Sequence, residues 1–368
     1  MRMMMLLIVL MQSWSGLSVE VVHVLNKQII TQGITGPSLI DWFTNKNKTV
    51  KQTIVGKYYY PLPDVYYHND CTQIKEASEA AGAFTDKLFF LSVNKACVDE
   101  GNGYRLVMII KEVKQGAVEI KNLTRILKVW DKFKMDDPKA ASLSPALNFF
   151  EYKNQQGEEK YFTLIKAARG QPLANLLKTE SDSEIKKIFY NVGTALALFH
   201  LKFMDSSTET SETSHGRIHD FWKTMVHGDA HLNNIFYNKE TGKTTLIDIE
   251  TVAYSLDKKY SIAVDLERFY NLPVYIWGQY NGCSIEKANT DCTKVVDAYK
   301  SFFDGYVKTY PKDKQGQIKN YIKLFFLHNH RITFIPYDEE NFESQSVDIE
   351  AQSKDLKSAE KLSQSLGF

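Results

Sequence analysis

The chain has 368 residues, 43% of them hydrophobic, and a formal net charge of +1. That length can bury a sizeable core and supply two lobes. The near-zero charge argues against nucleic acid as a partner, because phosphate-backbone binding draws on a basic surface.

At the amino terminus Arg2 precedes the apolar run from Met3 to Met11, and small residues follow at Ser13, Ser15, Gly16 and Ser18. This order predicts a secretory signal peptide over 1–18, with cleavage after Ser15 or Ser18. The run is too short for a comfortable transmembrane helix, so no stable membrane span is expected. Four cysteines fall into two sequence-local pairs, Cys71 with Cys97 and Cys283 with Cys292. These pairs give the simplest of three connectivities, and disulfides belong to an oxidising compartment. Asn47-Lys48-Thr49 and Asn122-Leu123-Thr124 are glycosylation sequons. With no KDEL-type retrieval signal at the end, a secreted or lumenal glycoprotein is expected.

Residues 19–77 are mixed and tyrosine-rich, and read as an extension packed on the first lobe. Small residues around Gly82 then precede an apolar strand ending near Leu91. A glycine there lets backbone amides approach a phosphate closely. Leu106 to Ile110 form a buried strand from which Lys111 emerges. Such a lysine can reach nucleotide phosphates if a carboxylate positions it. Glu119 is the candidate partner, opening a helical stripe of Ile120, Leu123, Ile126, Leu127 and Trp130. Lys114 and Glu112 are the rival choices. Tyr161 to Ile165 read as the last strand of the lobe, and Lys166 to Leu173 turn out of it.

The second lobe opens with Ser181 and Glu184, a capping box, ahead of the stripe Ile185, Ile188, Phe189, Val192, Leu196 and Phe199. Ser206 to Ser214 form a polar loop. Next comes the most informative stretch, His227-Gly228-Asp229-Ala230-His231-Leu232-Asn233-Asn234. Ile235 to Tyr237 and Thr244 to Ile247 read as the strands of a hairpin. A hairpin brings its ends together, so Asn234 should lie beside Asp248 of Leu246-Ile247-Asp248-Ile249-Glu250. Two oxygen ligands leave coordination sites for water and phosphate, which suits Mg²⁺. Asp229 supplies the carboxylate that phosphoryl transfer needs beside an acceptor hydroxyl.

Beyond Asp265 come aromatic-rich stretches with Tyr270, Tyr275, Trp277, Tyr280, Phe302, Phe303, Tyr306 and Tyr310, each read first as core. His328 and His330 are two apart on a helix and face different ways, so no metal pair is expected. Residues 339–368 form a polar tail.

The loop and metal motifs resemble the choline kinase and aminoglycoside phosphotransferase branch of the protein-kinase-like fold, over residues 78–335. The resemblance implies an α+β, bilobal fold with a small β-rich lobe at 78–168 and a mostly helical lobe at 169–338. It implies ATP with Mg²⁺ or Mn²⁺ as cofactors and a hydroxyl-bearing acceptor. Asp229 would be the catalytic base, Asn234 and Asp248 metal ligands, and Glu250 an aid to a second metal. His227 would hold the loop's shape, and Asp265 would buttress it across a longer intervening segment than choline kinases have. The Gly82 segment is similar to Gly-Gly-x-Thr-Asn-x-Leu, with Ala81 or Ala83 for one glycine, Thr85 retained and Asp86 for the asparagine. Lys166 to Leu173 resemble the hinge, where backbone at Lys166 and Ala168 would meet the adenine edge. The acceptor expected first is a small amino alcohol or sugar, caged in choline kinases by aromatic rings. A secretory-pathway protein or glycan kinase is the alternative, favoured by the signal peptide and cysteines. A non-catalytic nucleotide-binding protein is the third, counted against by the intact Asp229, Asn234 and Asp248.

Overall fold

The computed structural model describes residues 71–76, 85–113, 116–153, 159–204, 222–266, 268–269 and 293–328. The segment 1–70, Gly82, the Ser206–Ser214 loop, Cys283, Cys292, the aromatics from Tyr270 to Tyr280 and the 339–368 tail lie outside the described residues. The chain divides into two compact units, residues 1–128 with 145–167 and residues 129–144 with 168–368.

In chain order the first elements are β1 (Thr72–Glu76), β2 (Thr85–Asn94), β3 (Tyr104–Val113) and helix α1 (Gly116–Lys128). They are followed by β4 (Ser142–Leu143), β5 (Ala146–Lys153) and β6 (Glu159–Lys166). All but β4 belong to the first unit, where the sheet order is β1-β2-β3-β6-β5 and every pairing is antiparallel. Alternation along β2 turns Phe89, Leu91 and Val93 into the core, with Met108, Ile110, Phe162 and Leu164 from the neighbouring strands. Helix α1 adds Leu123, Ile126 and Leu127, three and four residues apart. Residues 72–76 of the expected extension thus form the sheet's edge strand. Their start is tied to the short 3₁₀ turn Lys95–Val98 by the Cys71–Cys97 disulfide, and Asn94 N–H donates to Cys71 O at 2.7 Å.

Two expectations are corrected in this unit. The strand expected to end at Lys111 continues to Val113, because its pairing with β6 persists as far as Val113 opposite Tyr161. Lys111 is therefore buried rather than emergent. The sequon residue Asn122 sits inside helix α1 with 3% of its surface exposed. A glycan there would have to displace the helix packing. Asn47 lies outside the described residues.

The second unit contains β7 (Gln171–Pro172), α2 (Leu173–Thr179), α3 (Asp182–Phe203), β8 (Lys223–Thr224), β9 (Ile235–Asn238) and β10 (Lys243–Leu246). Then follow α4 (Tyr254–Asp257), β11 (Tyr260–Ser261), α5 (Thr293–Thr309) and α6 (Lys312–His328). Helix α3 begins where Ser181 Oγ accepts the N–H of Glu184 at 3.4 Å. It packs closely on α5. A Cβ at Gly193 would lie 2.0 Å from Phe302 O, and one at Gly305 would lie 2.2 Å from Tyr190 O, so only glycine permits this approach. Phe189, Phe269, Tyr299, Phe302 and Phe303 fill the space around the contact, with the Phe269 and Phe302 rings stacked at 3.9 Å. Phe302, Phe303, Tyr306 and Tyr310 are all buried, as core residues and not as an open cage. A small sheet in the order β4-β10-β9-β7 carries the hairpin that matters for the site. Among the described residues no helix is long and apolar enough to cross a membrane.

Candidate active site

The first unit holds a buried ionic cluster. Strand β3 places Lys111 opposite Thr163 of β6, and the first turn of α1 places Glu119 beside both. Lys111 Nζ lies 3.5 Å from Glu119 Oε2, and Thr163 Oγ1 donates to Glu119 Oε1 at 3.2 Å. Lys111 and Glu119 are each over nine-tenths buried. Removing one partner from such a pair costs roughly 3–5 kcal/mol, because the other charge is left desolvated. Thr163 has no signature in the sequence beyond its place in an apolar strand. Thr85 and Asp86 open β2, and Gly82 lies outside the described residues. At the expected hinge, Lys166 N–H donates to Pro145 O and Ala167 N–H to Val107 O, both at 3.1 Å. An adenine edge would have to use other atoms of this segment, such as those of Ala168.

The second unit presents the loop from His227 to Asn234. Its frame is Asp265, fully buried, which receives three donors. His227 N–H reaches Oδ2 at 2.8 Å, Gly228 N–H reaches Oδ1 at 2.7 Å, and His200 Nε2 lies 2.9 Å from Oδ2. Burial alone would raise the Asp265 pKa, but the hydrogen bond and charge of His200, with the backbone hydrogen bond from His227, hold it below the usual carboxylate value. Gly228 has φ +86°, a conformation that glycine adopts without steric cost. The His227 ring closes the loop from the other side. Its Nε2 donates to Ile247 O at 2.8 Å, which leaves Nδ1 to accept the N–H of Asp229 at 3.3 Å. Thr251 Oγ1 donates to His227 O at 2.5 Å. His227 is thus buried, with both ring nitrogens and its carbonyl oxygen hydrogen-bonded.

Asn234 folds back on the carboxylate it follows. Its Nδ2 donates to Asp229 O at 3.0 Å and to Asp229 Oδ2 at 3.1 Å. With the amide nitrogen so fixed, the side-chain oxygen is the end that can meet a cation. The hairpin pairs Ile235 with Leu246, and Ile247 N–H donates to Asn234 O at 2.9 Å. Asp248 follows directly. It is half-buried and has φ +62° and ψ +56°, a left-handed backbone that a residue with a Cβ adopts at a cost. Asn234 and Asp248 offer hard oxygen donors, which fit Mg²⁺ better than a softer ion. Glu250 lies in the 3₁₀ turn Ile249–Ala253 and is buried. Among the described residues no three His, Cys, Asp or Glu side chains converge on a metal position.

Asp229 keeps 28% of its side chain exposed and sits between two basic groups. His231 Nε2 lies 3.5 Å from Oδ2, and Arg268 Nε lies 3.7 Å from Oδ1. Burial pushes the Asp229 pKa up, and His231 and Arg268 outweigh it, so the carboxyl stays ionised. Sequence inspection gave His231 and Arg268 no role. His231 stands inside the motif and was visible; Arg268 lies 39 positions beyond Asp229 and carries no local signal. His200 was also hidden, buried in the apolar stripe of α3, with its Nδ1 2.6 Å from the hydroxyl of Tyr306.

Residues 141–273 match the model of the ecdysteroid kinase-like family, about a third of the chain. The matched span holds Asp229, Asn234, Asp248, Asp265 and Arg268, while Lys111 and Glu119 precede it. The similarity supports a kinase-like phosphotransferase of the protein-kinase-like superfamily at the level of reaction class. No curated protein matches the chain.

Proposed function

We propose that this chain is an ATP- and Mg²⁺-dependent phosphotransferase that acts on a hydroxyl of a small molecule in the secretory pathway. The observation that carries the reading is the loop of Asp229 and Asn234, clamped at its root by Asp265 and joined through one hairpin to Asp248. Bound metal–nucleotide would supply the transferable phosphoryl group and offset its negative charge. Asp229 accepts a hydrogen bond from the acceptor hydroxyl and takes its proton as the new O–P bond forms and the bond to the ADP oxygen breaks. Asn234 Oδ1 and the Asp248 carboxylate would hold the metal. Lys111, kept in place by Glu119 and Thr163, pairs with phosphate oxygens. An ionised Asp229 with a lowered pKa is a weak base, which suits a reaction whose barrier depends more on placement than on proton abstraction.

The family similarity favours a small-molecule acceptor, and the motif resemblance to choline kinases keeps amino alcohols and sugars as the candidate classes. The Cys71–Cys97 disulfide favours a second reading, a lumenal protein or glycan kinase, because such bonds persist in oxidising compartments. Both are tested by γ-phosphate transfer from Mg²⁺-ATP to an amino-alcohol and sugar panel and to a secreted-protein and glycan panel. Asp229→Ala should lose about 10³-fold or more in rate. Transfer that survives this substitution would refute the assignment of the site.

A further inference from the structure

Arg268 is the feature of the site that the proposed chemistry does not use. Its side chain is nine-tenths buried, and its Nε lies 3.7 Å from Asp229 Oδ1. It comes from the residues just after Asp265, whose carboxylate is fixed by His200 and by the His227 and Gly228 amides, so its backbone is anchored to the loop it faces. The other carboxylate oxygen is also engaged, by Asn234 Nδ2 at 3.1 Å and by His231 Nε2 at 3.5 Å. An acceptor hydroxyl that hydrogen-bonds to Asp229 therefore meets an ion pair and not a lone negative charge. A lone carboxylate would draw an ammonium group attached near the reacting hydroxyl. A carboxylate already paired with a guanidinium gives that ammonium little, and the guanidinium repels it in a half-buried setting where screening is weak.

We infer that Arg268 is a specificity-determining residue that turns the site away from cationic alcohols and toward acceptors that are neutral beside the reacting hydroxyl. The inference rests on the phosphotransferase reading and refines it. It narrows the candidate classes, placing sugars and other uncharged alcohols ahead of choline and ethanolamine. It also assigns Arg268 a task distinct from that of Asp229: the aspartate serves every acceptor, and the arginine ranks them.

The test uses the full-length protein and two acceptors that share a hydroxyethyl group, ethanolamine and its uncharged N-acetyl derivative. Phosphoryl transfer from Mg²⁺-ATP is measured for the parent, Arg268→Gln, Arg268→Lys and Asp229→Asn. The parent should favour the neutral acceptor by about tenfold or more in kcat/KM, because like charges at close range are strongly penalised. Arg268→Gln should shrink that ratio, and Arg268→Lys, which keeps the charge, should largely retain it. A merely structural arginine would lower both rates together and leave the ratio alone. A parent preference for ethanolamine, or a ratio that Arg268→Gln does not change, overturns the inference while leaving the phosphotransferase reading in place. Transfer to neither acceptor also overturns it, and ATP turnover that Asp229→Asn fails to reduce overturns the phosphotransferase reading as well.

Discussion

Asp265→Asn is the most informative single change in the second unit. Asp265 accepts from His227 N–H, Gly228 N–H and His200 Nε2 at 2.7–2.9 Å, with no exposure to solvent. An asparagine has the same shape but only one acceptor oxygen, and its amide nitrogen must face one of those donors. At least one buried N–H then loses its partner, and every remaining bond loses its charge assistance. Hydrogen bonds to charged groups contribute about 1.5–3 kcal/mol each, and breaking a buried pair costs roughly 3–5 kcal/mol. A loss of about 3–5 kcal/mol in unfolding free energy is expected on the same scale. The assay is urea unfolding by intrinsic fluorescence, repeated from pH 7 to pH 3. The folded pKa of Asp265 is below the ordinary carboxylate value. Its stabilising contribution is therefore fully present above the unfolded pKa of about 3.9 and fades as pH falls through the lower folded value. The difference between parent and variant should hold from pH 7 to about 5 and narrow below about 4. A variant within 1 kcal/mol of the parent at pH 7 would contradict the premise that an ionised Asp265 anchors the loop.

Thr163→Val removes the hydroxyl that holds Glu119 and should cost about 1 kcal/mol in stability. Within the proposed reaction it should raise the KM for ATP more than it lowers kcat, as steady-state kinetics would show. Asp248→Gly should abolish transfer yet leave stability unchanged or higher by about 1 kcal/mol, since glycine adopts the left-handed backbone without strain; denaturation beside the activity assay reads both. Replacing Cys71 and Cys97 by serine frees a loop with a sequence separation of 26. This should destabilise the protein by roughly 3–4 kcal/mol on the chain-entropy model, and calorimetry with and without reductant checks it.

The parts of the site legible in the sequence are those that lie within one loop or one hairpin. His227, Asp229 and Asn234 fall within eight residues, and the turn formers between β9 and β10 give the pairing that brings Asp248 back to Asn234. The capping box at Ser181 and the apolar stripe of α3 were legible for the same reason, since their signals are local. What stayed hidden depends on distant contacts. His200 reaches Asp265 across 65 positions, and Thr163 reaches Glu119 across 44. Lys111 was placed at a strand end because a charge normally marks one. A carboxylate from α1 lets the strand run on past it. Residues 129–144 follow helix α1 in the chain but group with the second unit. There β4 pairs in parallel with β10, and Ala141 N–H donates to Ala195 O at 3.0 Å. Parallel pairing between segments a hundred residues apart leaves no pattern in a two-residue strand.

The two ionic clusters differ in a way that separates their roles experimentally. The Lys111–Glu119–Thr163 group is built from strands and a helix of the first unit, and the Asp265 group from residues of the second. The two groups share no residue, and free energies of changes at sites that do not interact add. On the proposed reaction, damage to the first cluster weakens the hold on nucleotide phosphates, and damage to the second displaces the base. A Thr163→Val, Asp265→Asn double variant should then carry the sum of the two single effects on unfolding free energy. A coupling above about 0.5 kcal/mol would mean that the clusters share a cooperative element, and the assignment of one to nucleotide and the other to acceptor would have to be redrawn.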